Sequence, residues 1–404
     1  MIQRYIFTRL LAWCFCMFCL SQPIRAQIPA CGFPLMPGPA SDVHTRIAAI
    51  NQILEEAANE TITARADIVI PVVVHVVWHG PEENVSDEAI LSQLEILNRD
   101  FNEENEDLAE VPDEFRLFIA RKGIRFCLTA EDLHELPTPG IVRVQTNVEA
   151  IGAKEALYYS AQGGSDAWDS ERFLNIWAAN TREHVTGFGT FPEQVAAEKQ
   201  GVVVHPKYFG KNNSNRYNLG RVAVHEVGHY LGLQHVWGSD ERCETDDGVE
   251  DTPVQQRNYN GCPAHPQITC GSADMFMNFM DYVDDGCMVM FTQGQMERML
   301  ATIEIYRPGL ANQGIRCVKN SVRELNTAIL IYPNPAMNAI NIIFPNQVVA
   351  ETGRMEIFNS LGQIVFQTNT VLHNQMNIKL PELPSGVYWV RIGIRASQLI
   401  VQSK

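Results

Sequence analysis

The most constraining feature of this sequence is a string of three histidines with fixed spacing near the middle of the chain. His225, Glu226 and His229 belong to one His-Glu-x-x-His segment, and Gly232 and His235 follow at intervals of three residues. Positions four apart lie on one face of a helix, so both imidazoles could bind one ion with Glu226 beside them. Gly232 would let the chain leave the helix, and His235 would then supply a third nitrogen.

Three nitrogen ligands with a fourth position for water are typical of catalytic zinc, whereas structural zinc is usually closed by four protein ligands. The alternative is a surface helix that contains three histidines by chance. The short His-Glu-x-x-His string does occur by chance, but the extended string is far more specific. Downstream, residues 277–282 read Met-Asn-Phe-Met-Asp-Tyr, which fits the methionine-containing turn expected after such a helix.

The amino terminus is typical of a secretory signal. Residues 1–26 contain Arg4 and Arg9, then an apolar run over 10–20, then Ile-Arg-Ala. The apolar run is too short to span a bilayer. We expect cleavage after Ala26 and a protein that is secreted or on the cell surface. No later segment is apolar for long enough to predict a transmembrane segment.

Charge divides the chain near residue 320. The 404 residues include 31 Lys and Arg against 47 Asp and Glu, a formal charge of −16, which argues against nucleic acid as a partner. From Ser321 to Lys404 there is no Asp, and short alternating apolar runs lie between turns rich in Asn, Pro and Gly. This pattern predicts a small all-β sandwich.

Upstream of residue 320, strand and helix patterns predict an α/β layered domain. An apolar strand begins at Ile68, and Ser86 is placed to cap a helix with apolar residues at helical spacing. A second long helix contains the histidine string, and a short amphipathic helix is expected at about 42–59. Further strands are expected at 124–128, 174–178 and 202–205.

These motifs resemble those of the metzincin zinc peptidases, and in finer features the pappalysin family with its ulilysin-like and mirolysin-like members. The segments that support this are 70–77, 201–204, 225–238, 251–253 and 278–282, within a resemblance over about residues 68–317. It implies a metzincin-type α/β (α+β) catalytic domain with a twisted mixed sheet and an active-site helix. It also implies a secreted endopeptidase that hydrolyses peptide and protein substrates by metal-activated water.

The resemblance assigns roles to single residues. Glu226 would be general base and then proton donor. Met280 would form the hydrophobic floor under the metal, and Tyr282 would stabilise the oxyanion, with a purely structural tyrosine as the alternative. The zinc ligands would be His225, His229 and His235.

An acidic insertion lies between the zinc motif and the methionine turn. Seven acids fall within residues 240–251, opposed only by Arg242. Such a run is usually a solvated loop, but oxygen-rich loops are also what calcium prefers. The resemblance implies a structural calcium site here, with Asp247 and Thr252 among its ligands and the carbonyl ligands left open.

Removal of the signal leaves seven cysteines in an oxidising compartment, an odd number that cannot all pair within one chain. The four around the insertion allow three pairings, and the sequence alone does not choose among them. Metal ligation by these cysteines is a further alternative. The resemblance favours Cys243–Cys270 and Cys262–Cys287, and Cys127 with Cys317 could form a third bridge.

That pairing leaves Cys31, ahead of the catalytic domain. A thiolate is an excellent zinc ligand and could take the fourth position in place of water. Similar enzymes are kept latent by a prosegment cysteine, so the resemblance implies a cysteine switch and a zymogen. The alternatives are an intermolecular disulfide or a lipid-attachment cysteine, and Pro29 argues against the latter.

Asp284 and Asp285 follow the methionine turn, where the pocket for the first residue after the cut should form. A carboxylate there would select Arg or Lys by charge and bidentate geometry. The resemblance places this role on Asp285, and a solvated pair of turn acids is the alternative. An enzyme with this preference would also cut its own chain between Ala64 and Arg65 and release the segment that carries Cys31.

The carboxyl-terminal segments 332–335, 357–362 and 383–388 resemble the sorting domains of proteins exported by the type IX secretion machinery. A carbohydrate-binding or immunoglobulin-like sandwich has the same strand pattern and is the alternative. We therefore predict a signal peptide at 1–26, a prosegment at 27–64, a peptidase domain at 65–319 and a sorting domain at 320–404. A surface binding or adhesion protein on a peptidase scaffold is the competing function, but such a protein has no need of Glu226.

Overall fold

The structure of this chain is a computed structural model. It describes residues 31–32, 49, 52, 68–121, 123–133, 138–182, 184–214, 216–238, 242–311, 316–318, 329–343, 352–359, 362–371, 375–392 and 395–402. The predicted signal peptide at 1–26 lies outside these residues. The expected cleavage site between Ala64 and Arg65 also lies outside them. Of the predicted helix at 42–59, only Ala49 and Gln52 are described, and both have helical backbone.

The first strand, β1 (Ile68–Trp78), lies inside a six-stranded sheet and is buried along most of its length. A near-continuous apolar run of this kind is typical of a strand covered on both faces. All three neighbours of β1 are parallel to it. Its first half pairs with β2 (Ile124–Leu128), its second half with β3 (Ile141–Gln145), and β4 (Leu174–Ala179) pairs with residues 72–77.

Two short strands complete the sheet and make it mixed. Strand β5 (Gly187–Gly189) lies at the edge, antiparallel to β6 (Val202–Val204), which is parallel to β4. The order is β2-β1-β4-β6-β5, with β3 also paired to β1. The mixed α/β fold agrees with the prediction, although the sequence pattern does not predict β3 or β5.

The described residues between 68 and 311 contain three α-helices. In α1 (Asp87–Asp100), Ser86 caps the first turn by accepting a hydrogen bond from the amide of Ala89, as its sequence predicts. Helix α2 (Arg221–Tyr230) is buried along its whole length and packs on β5, β6 and α1. Helix α3 (Gln293–Tyr306) begins with a capping box between Thr292 and Gln295. In the described part of the chain no helix is long and apolar enough to cross a membrane.

The carboxyl-terminal strands form two antiparallel sheets with a hydrophobic core of their own. This is the all-β unit that the alternating pattern predicts. The three-stranded sheet contains β7 (Leu330–Tyr332), β8 (Ala339–Ile343) and β11 (Gln375–Lys379). The four-stranded sheet contains β9 (Thr352–Phe358), β10 (Ile364–Val371), β12 (Gly386–Ile392) and β13 (Arg395–Val401).

Candidate active site

Helix α2 carries two of the predicted zinc ligands on one buried face. His225 and His229 are one turn apart in this helix, as their spacing predicts. The chain turns away at Gly232, whose φ of +90° belongs to the left-handed region. A Cβ atom there would lie 2.4 Å from Oγ1 of Thr302, so a side chain would clash. The turn at Gly232 is what brings His235 back to the helix.

The three imidazoles converge on one point. Nε2 of His229 lies 3.1 Å from Nε2 of His225 and 3.1 Å from Nε2 of His235. Nitrogen ligands bound tetrahedrally to zinc at 2.0–2.1 Å stand roughly 3.3 Å apart. Lone pairs that meet at this separation repel one another unless a cation lies among them. The arrangement therefore fits a zinc ion.

Hydrogen bonds on the far side of two rings fix their orientation. Nδ1 of His225 donates to the carbonyl of Phe279 at 2.7 Å, and Nδ1 of His229 donates to the carbonyl of Leu233 at 2.8 Å. A carbonyl can only accept, so the proton lies on Nδ1 and the Nε2 lone pair faces the cluster. Burial lowers the pKa of His225 to about 4, and it lowers the pKa values of His229 and His235 well below the usual value for histidine. All three rings are neutral, as metal ligands must be.

Glu226 places its carboxylate beside the histidine cluster. The side chain is buried, and burial raises its pKa to about 8. Its Oε2 accepts a hydrogen bond from the thiol of Cys31 at 3.3 Å. Its Oε1 has no hydrogen-bond partner among the described residues. One carboxylate oxygen is therefore available for a proton at the point where the ligands meet.

The methionine turn lies directly under helix α2. Met280 is fully buried, and a Cβ atom on Gly228 would lie 2.5 Å from its sulfur, so this helix position has room only for glycine. Asn278 holds the turn by accepting a hydrogen bond from the amide of Met280 at 2.9 Å. Gln295 of α3 in turn bonds the Asn278 side chain. Sequence reasoning missed Gly228 and Asn278, although both lie inside the two motifs.

Tyr282 stands at the rim of the cluster. Its ring centroid is 4.9 Å from that of His235 and 5.7 Å from that of His225. Its amide donates to the buried carboxylate of Asp281 at 2.6 Å, which fixes the backbone at this point. Burial raises the pKa of the Tyr282 hydroxyl, so the group remains protonated and can donate a hydrogen bond.

Cys31 lies in the same site. Its sulfur and one nitrogen from each of the three histidines lie within 4.8 Å of one another, and all four side chains are buried. The next residue, Gly32, donates its amide to the carbonyl of Gly187 at 2.7 Å. The segment that carries the thiol thus contacts edge strand β5 beside the cluster.

Asp285 lies in the wall of the adjoining pocket and is fully buried. Its Oδ2 accepts hydrogen bonds from the amides of Leu219 at 2.8 Å and Arg221 at 3.2 Å. Its Oδ1 has no hydrogen-bond partner in the described part of the chain. Since Oδ2 already accepts two hydrogen bonds, Oδ1 is the oxygen that remains to accept a further one. The neighbouring Asp284 forms an ion pair with Arg216 at 2.5 Å.

The acidic insertion places a carboxylate in its interior. Asp247 is buried, and Oγ1 of Thr252 donates to its Oδ1 at 2.7 Å. Its Oδ2 has no hydrogen-bond partner among the described residues, and burial raises the pKa of Asp247 to about 7. In the described part of the chain, the only converging group of three or more His, Cys, Asp or Glu side chains is the one at the zinc motif.

The described residues form three disulfides. They join Cys127 to Cys317, Cys243 to Cys270, and Cys262 to Cys287. The second and third are the pairings that the family resemblance implies, and the first is the bridge that the sequence left open. The second bridge closes the acidic insertion. The third bridge joins Cys262 to Cys287, at the end of the short turn that begins with Asp285.

Comparison with known proteins gives this geometry a family. Residues 158–304 match the family described as pregnancy-associated plasma protein-A, and residues 330–402 match the secretion system C-terminal sorting domain. An extracellular metalloprotease of Arthroderma gypseum is 30% identical over 265 residues, which cover 62% of this chain and 79% of the relative. Another, from Trichophyton verrucosum, is 30% identical over 268 residues, covering 65% and 86%.

Solved structures agree with these relatives. Mature mirolysin of Tannerella forsythia, in complex with a cleaved peptide, is 38% identical with a TM-score of 0.57 and covers 61% of this chain and 99% of that one. A promirolysin mutant from the same organism is 34% identical with a TM-score of 0.60, covering 68% and 92%. With its histidine cluster and its mixed sheet, the chain belongs to the pappalysin family of secreted zinc metallopeptidases.

Proposed function

We propose that this protein is a zinc-dependent endopeptidase that cuts before Arg or Lys and is made as a latent zymogen. One observation carries the proposal. The catalytic carboxylate Glu226, the buried acid Asp285 and the thiol of Cys31 line one pocket, and the histidine cluster forms part of the same site. A metal site, a recognition site for a cation and an inhibitory thiol are therefore adjacent.

His225, His229 and His235 would hold zinc through their Nε2 atoms. A bound zinc ion supplies Lewis acidity, which lowers the pKa of water from 15.7 to about 7 and polarises a carbonyl oxygen. Glu226 would take the proton as water attacks the peptide carbonyl and would then give it to the leaving amine. The protonated hydroxyl of Tyr282 would donate a hydrogen bond to the developing oxyanion.

Asp285 would select the residue after the cut. Its buried Oδ1 lines the pocket, whose apolar walls include Val222 and Met288. An aliphatic stem would contact these walls, and a terminal cation would satisfy the carboxylate oxygen. A neutral apolar side chain would leave Oδ1 buried without a hydrogen bond, which is costly.

Cys31 would keep the enzyme latent in two ways. Its sulfur lies within ligand reach of the three histidines, where it would exclude water from the metal. Its thiol donates to Oε2 of Glu226, so this carboxylate is the adjacent acceptor for the proton that the thiol would give up on binding zinc, and a protonated Glu226 could not act as the base. A cut between Ala64 and Arg65 would release this segment, and that bond is of the type that the Asp285 pocket would accept.

A structural calcium ion in the acidic insertion is part of the proposal. Asp247 would supply Oδ2, its buried and unsatisfied oxygen, and Thr252 would supply its hydroxyl or carbonyl. The carbonyls of Asp247 and Gly248 are less suitable ligands, because both accept hydrogen bonds from the guanidinium of Arg298.

The carboxyl-terminal domain would serve export. The match of residues 330–402 to the sorting domain supports passage through the type IX secretion machinery. The peptidase domain would hydrolyse peptide bonds, and the carboxyl-terminal domain would determine where the enzyme is delivered.

Cleavage of a quenched peptide with one internal Arg tests the proposed activity. We expect zinc removal to abolish cleavage, added zinc to restore it, and product masses to place the cut before Arg. Glu226→Ala should lower kcat by at least about 100-fold while zinc content is retained, because general-base assistance is lost. Full activity in the zinc-free protein, or cuts unrelated to basic residues, would contradict the proposal.

A further inference from the structure

Arg221 is a buried cation that the zinc motif does not explain. It is the first residue of α2, and its side chain is 1% exposed. Nε donates to Oδ2 of Asp100 at 3.0 Å, and the two terminal nitrogens donate to both oxygens of Asp107 at 2.5 and 2.8 Å. Removal of an interior cation from such a network leaves buried charges unpaired, so its place in the fold is tightly determined.

The same residue also holds Asp285 at two points. Nη1 of Arg221 donates to the main-chain carbonyl of Asp285 at 2.7 Å. The amide of Arg221 donates to Oδ2 of the Asp285 side chain at 3.2 Å. Because Oδ2 faces the start of α2, Oδ1 is the oxygen left for the pocket, where it has no partner among the described residues.

We propose that Arg221 is a positioning residue for substrate selection, which fixes the backbone and carboxylate of Asp285 so that Oδ1 meets the cationic side chain after the cut. The inference rests on the proposed role of Asp285. The acids Asp100 and Asp107 act as the outer anchors of the guanidinium, at the end of α1 and in the loop that follows it. The zinc ligands and the selectivity carboxylate are thereby attached to the same helix.

Lysine cannot replace this guanidinium. Its single ammonium group lacks the planar fork that reaches Asp100, Asp107 and the carbonyl of Asp285 together. In an Arg221→Lys variant the carbonyl of Asp285 loses its side-chain anchor. Only the two backbone amides at Oδ2 then hold the carboxylate, so Oδ1 is held less firmly. A misplacement of about 1 Å at a binding group can cost up to about 100-fold in rate.

Two quenched peptides that differ only in Arg or Gln after the scissile bond provide the test. The selectivity ratio is kcat/KM for the Arg peptide divided by that for the Gln peptide, measured on the full-length chain once its activity has reached a plateau. Arg221→Lys should lower this ratio at least about tenfold, chiefly through KM for the Arg peptide. Arg307→Lys is the matched control, because Arg307 is a buried arginine that donates to the carbonyl of Tyr230 at the other end of α2.

Two further variants separate the possible outcomes. If Asp285→Asn abolishes selectivity but Arg221→Lys keeps the wild-type ratio, the inference is wrong and the pocket remains. If Asp285→Asn keeps the wild-type ratio, the proposed pocket itself fails. Equal loss in Arg307→Lys would mean general loosening of the helix and would also overturn the role of Arg221. If Arg221→Lys does not fold, Asp107→Asn is measured instead, because Asp107 is a partly exposed partner of the Arg221 guanidinium. We expect a smaller fall in the selectivity ratio for Asp107→Asn, and no fall would overturn the inference.

Discussion

Cys31 and Glu226 are 195 positions apart in the sequence, yet their side chains form a hydrogen bond in the active site. A tethered thiol competes for a nearby metal at an effective concentration in the millimolar range, so Cys31→Ala should raise the initial rate at least about tenfold before any cut occurs. The measurement is the first minutes of quenched-peptide hydrolysis by the uncut full-length chain.

The double variant Cys31→Ala with Glu226→Ala provides the control and should be inactive. An initial rate in Cys31→Ala equal to that of the uncut wild-type chain would show that the thiol does not hold the enzyme latent. Zinc content measured in parallel ensures that a change in rate is not a loss of metal.

At the level of single residues, the sequence predicts groups whose spacing is local. The histidines can be predicted because α2 fixes their separation, and Met280 because its turn has its own motif. The orientation of Asp285 cannot, because its Oδ2 is held by amides 64 and 66 positions away. No spacing rule reveals which carboxylate oxygen the fold engages, so the way in which Asp285 would bind a basic side chain stays a prediction.

Among the structural elements, the acidic insertion offers the sharpest stability test. Calcium that binds only the folded chain stabilises it by about 2.7 kcal/mol at 100 times Kd, which corresponds to a Tm shift of roughly 5–11 °C in a domain of this size. We expect removal of calcium, with zinc kept saturating, to lower Tm by an amount of this order. Asp247→Asn should lose the response to calcium, because it removes the charge of the buried ligand.

The exposed neighbour Glu250 supplies the matched control, and Glu250→Gln should keep the response to calcium. The measurement is Tm, obtained from thermal unfolding monitored by circular dichroism. The metal content is measured before each scan. A wild-type Tm that does not change when calcium is removed would exclude the calcium site.

Element prediction succeeds where the pattern is strong and local. Strand β1 has an unbroken apolar run and α1 has a capped helical stripe, so both can be predicted. Strand β5 has three residues, two of them glycine, and it exists because of its pairing with β6. Helix α3 carries Met296, Met299, Leu300 and Ile303 at helical spacing, a local signal from which it could have been predicted. Its contact with the methionine turn through Gln295 has no such signal.

At the scale of the whole molecule, composition predicts that the chain has parts with different tasks. The excess of acids that gives the chain its formal charge of −16 lies upstream of residue 320, and the acid-poor tail forms a separate hydrophobic core. What composition does not predict is that residues 31 and 32 reach β5 and the zinc motif. That contact depends on the folded edge of the sheet and has no signature in the segment itself.

The proposal of a latent zinc endopeptidase that activates itself is tested by intact-mass analysis of the purified full-length chain over time. Peptide hydrolysis is measured on the same samples. We expect the rate of peptide hydrolysis to increase together with the amount of a product whose amino terminus is Arg65. We also expect that Glu226→Ala stays uncut unless active wild-type enzyme is added. Full activity in a chain that remains uncut, or the same cut in Glu226→Ala alone, would contradict a latent zinc endopeptidase that activates itself.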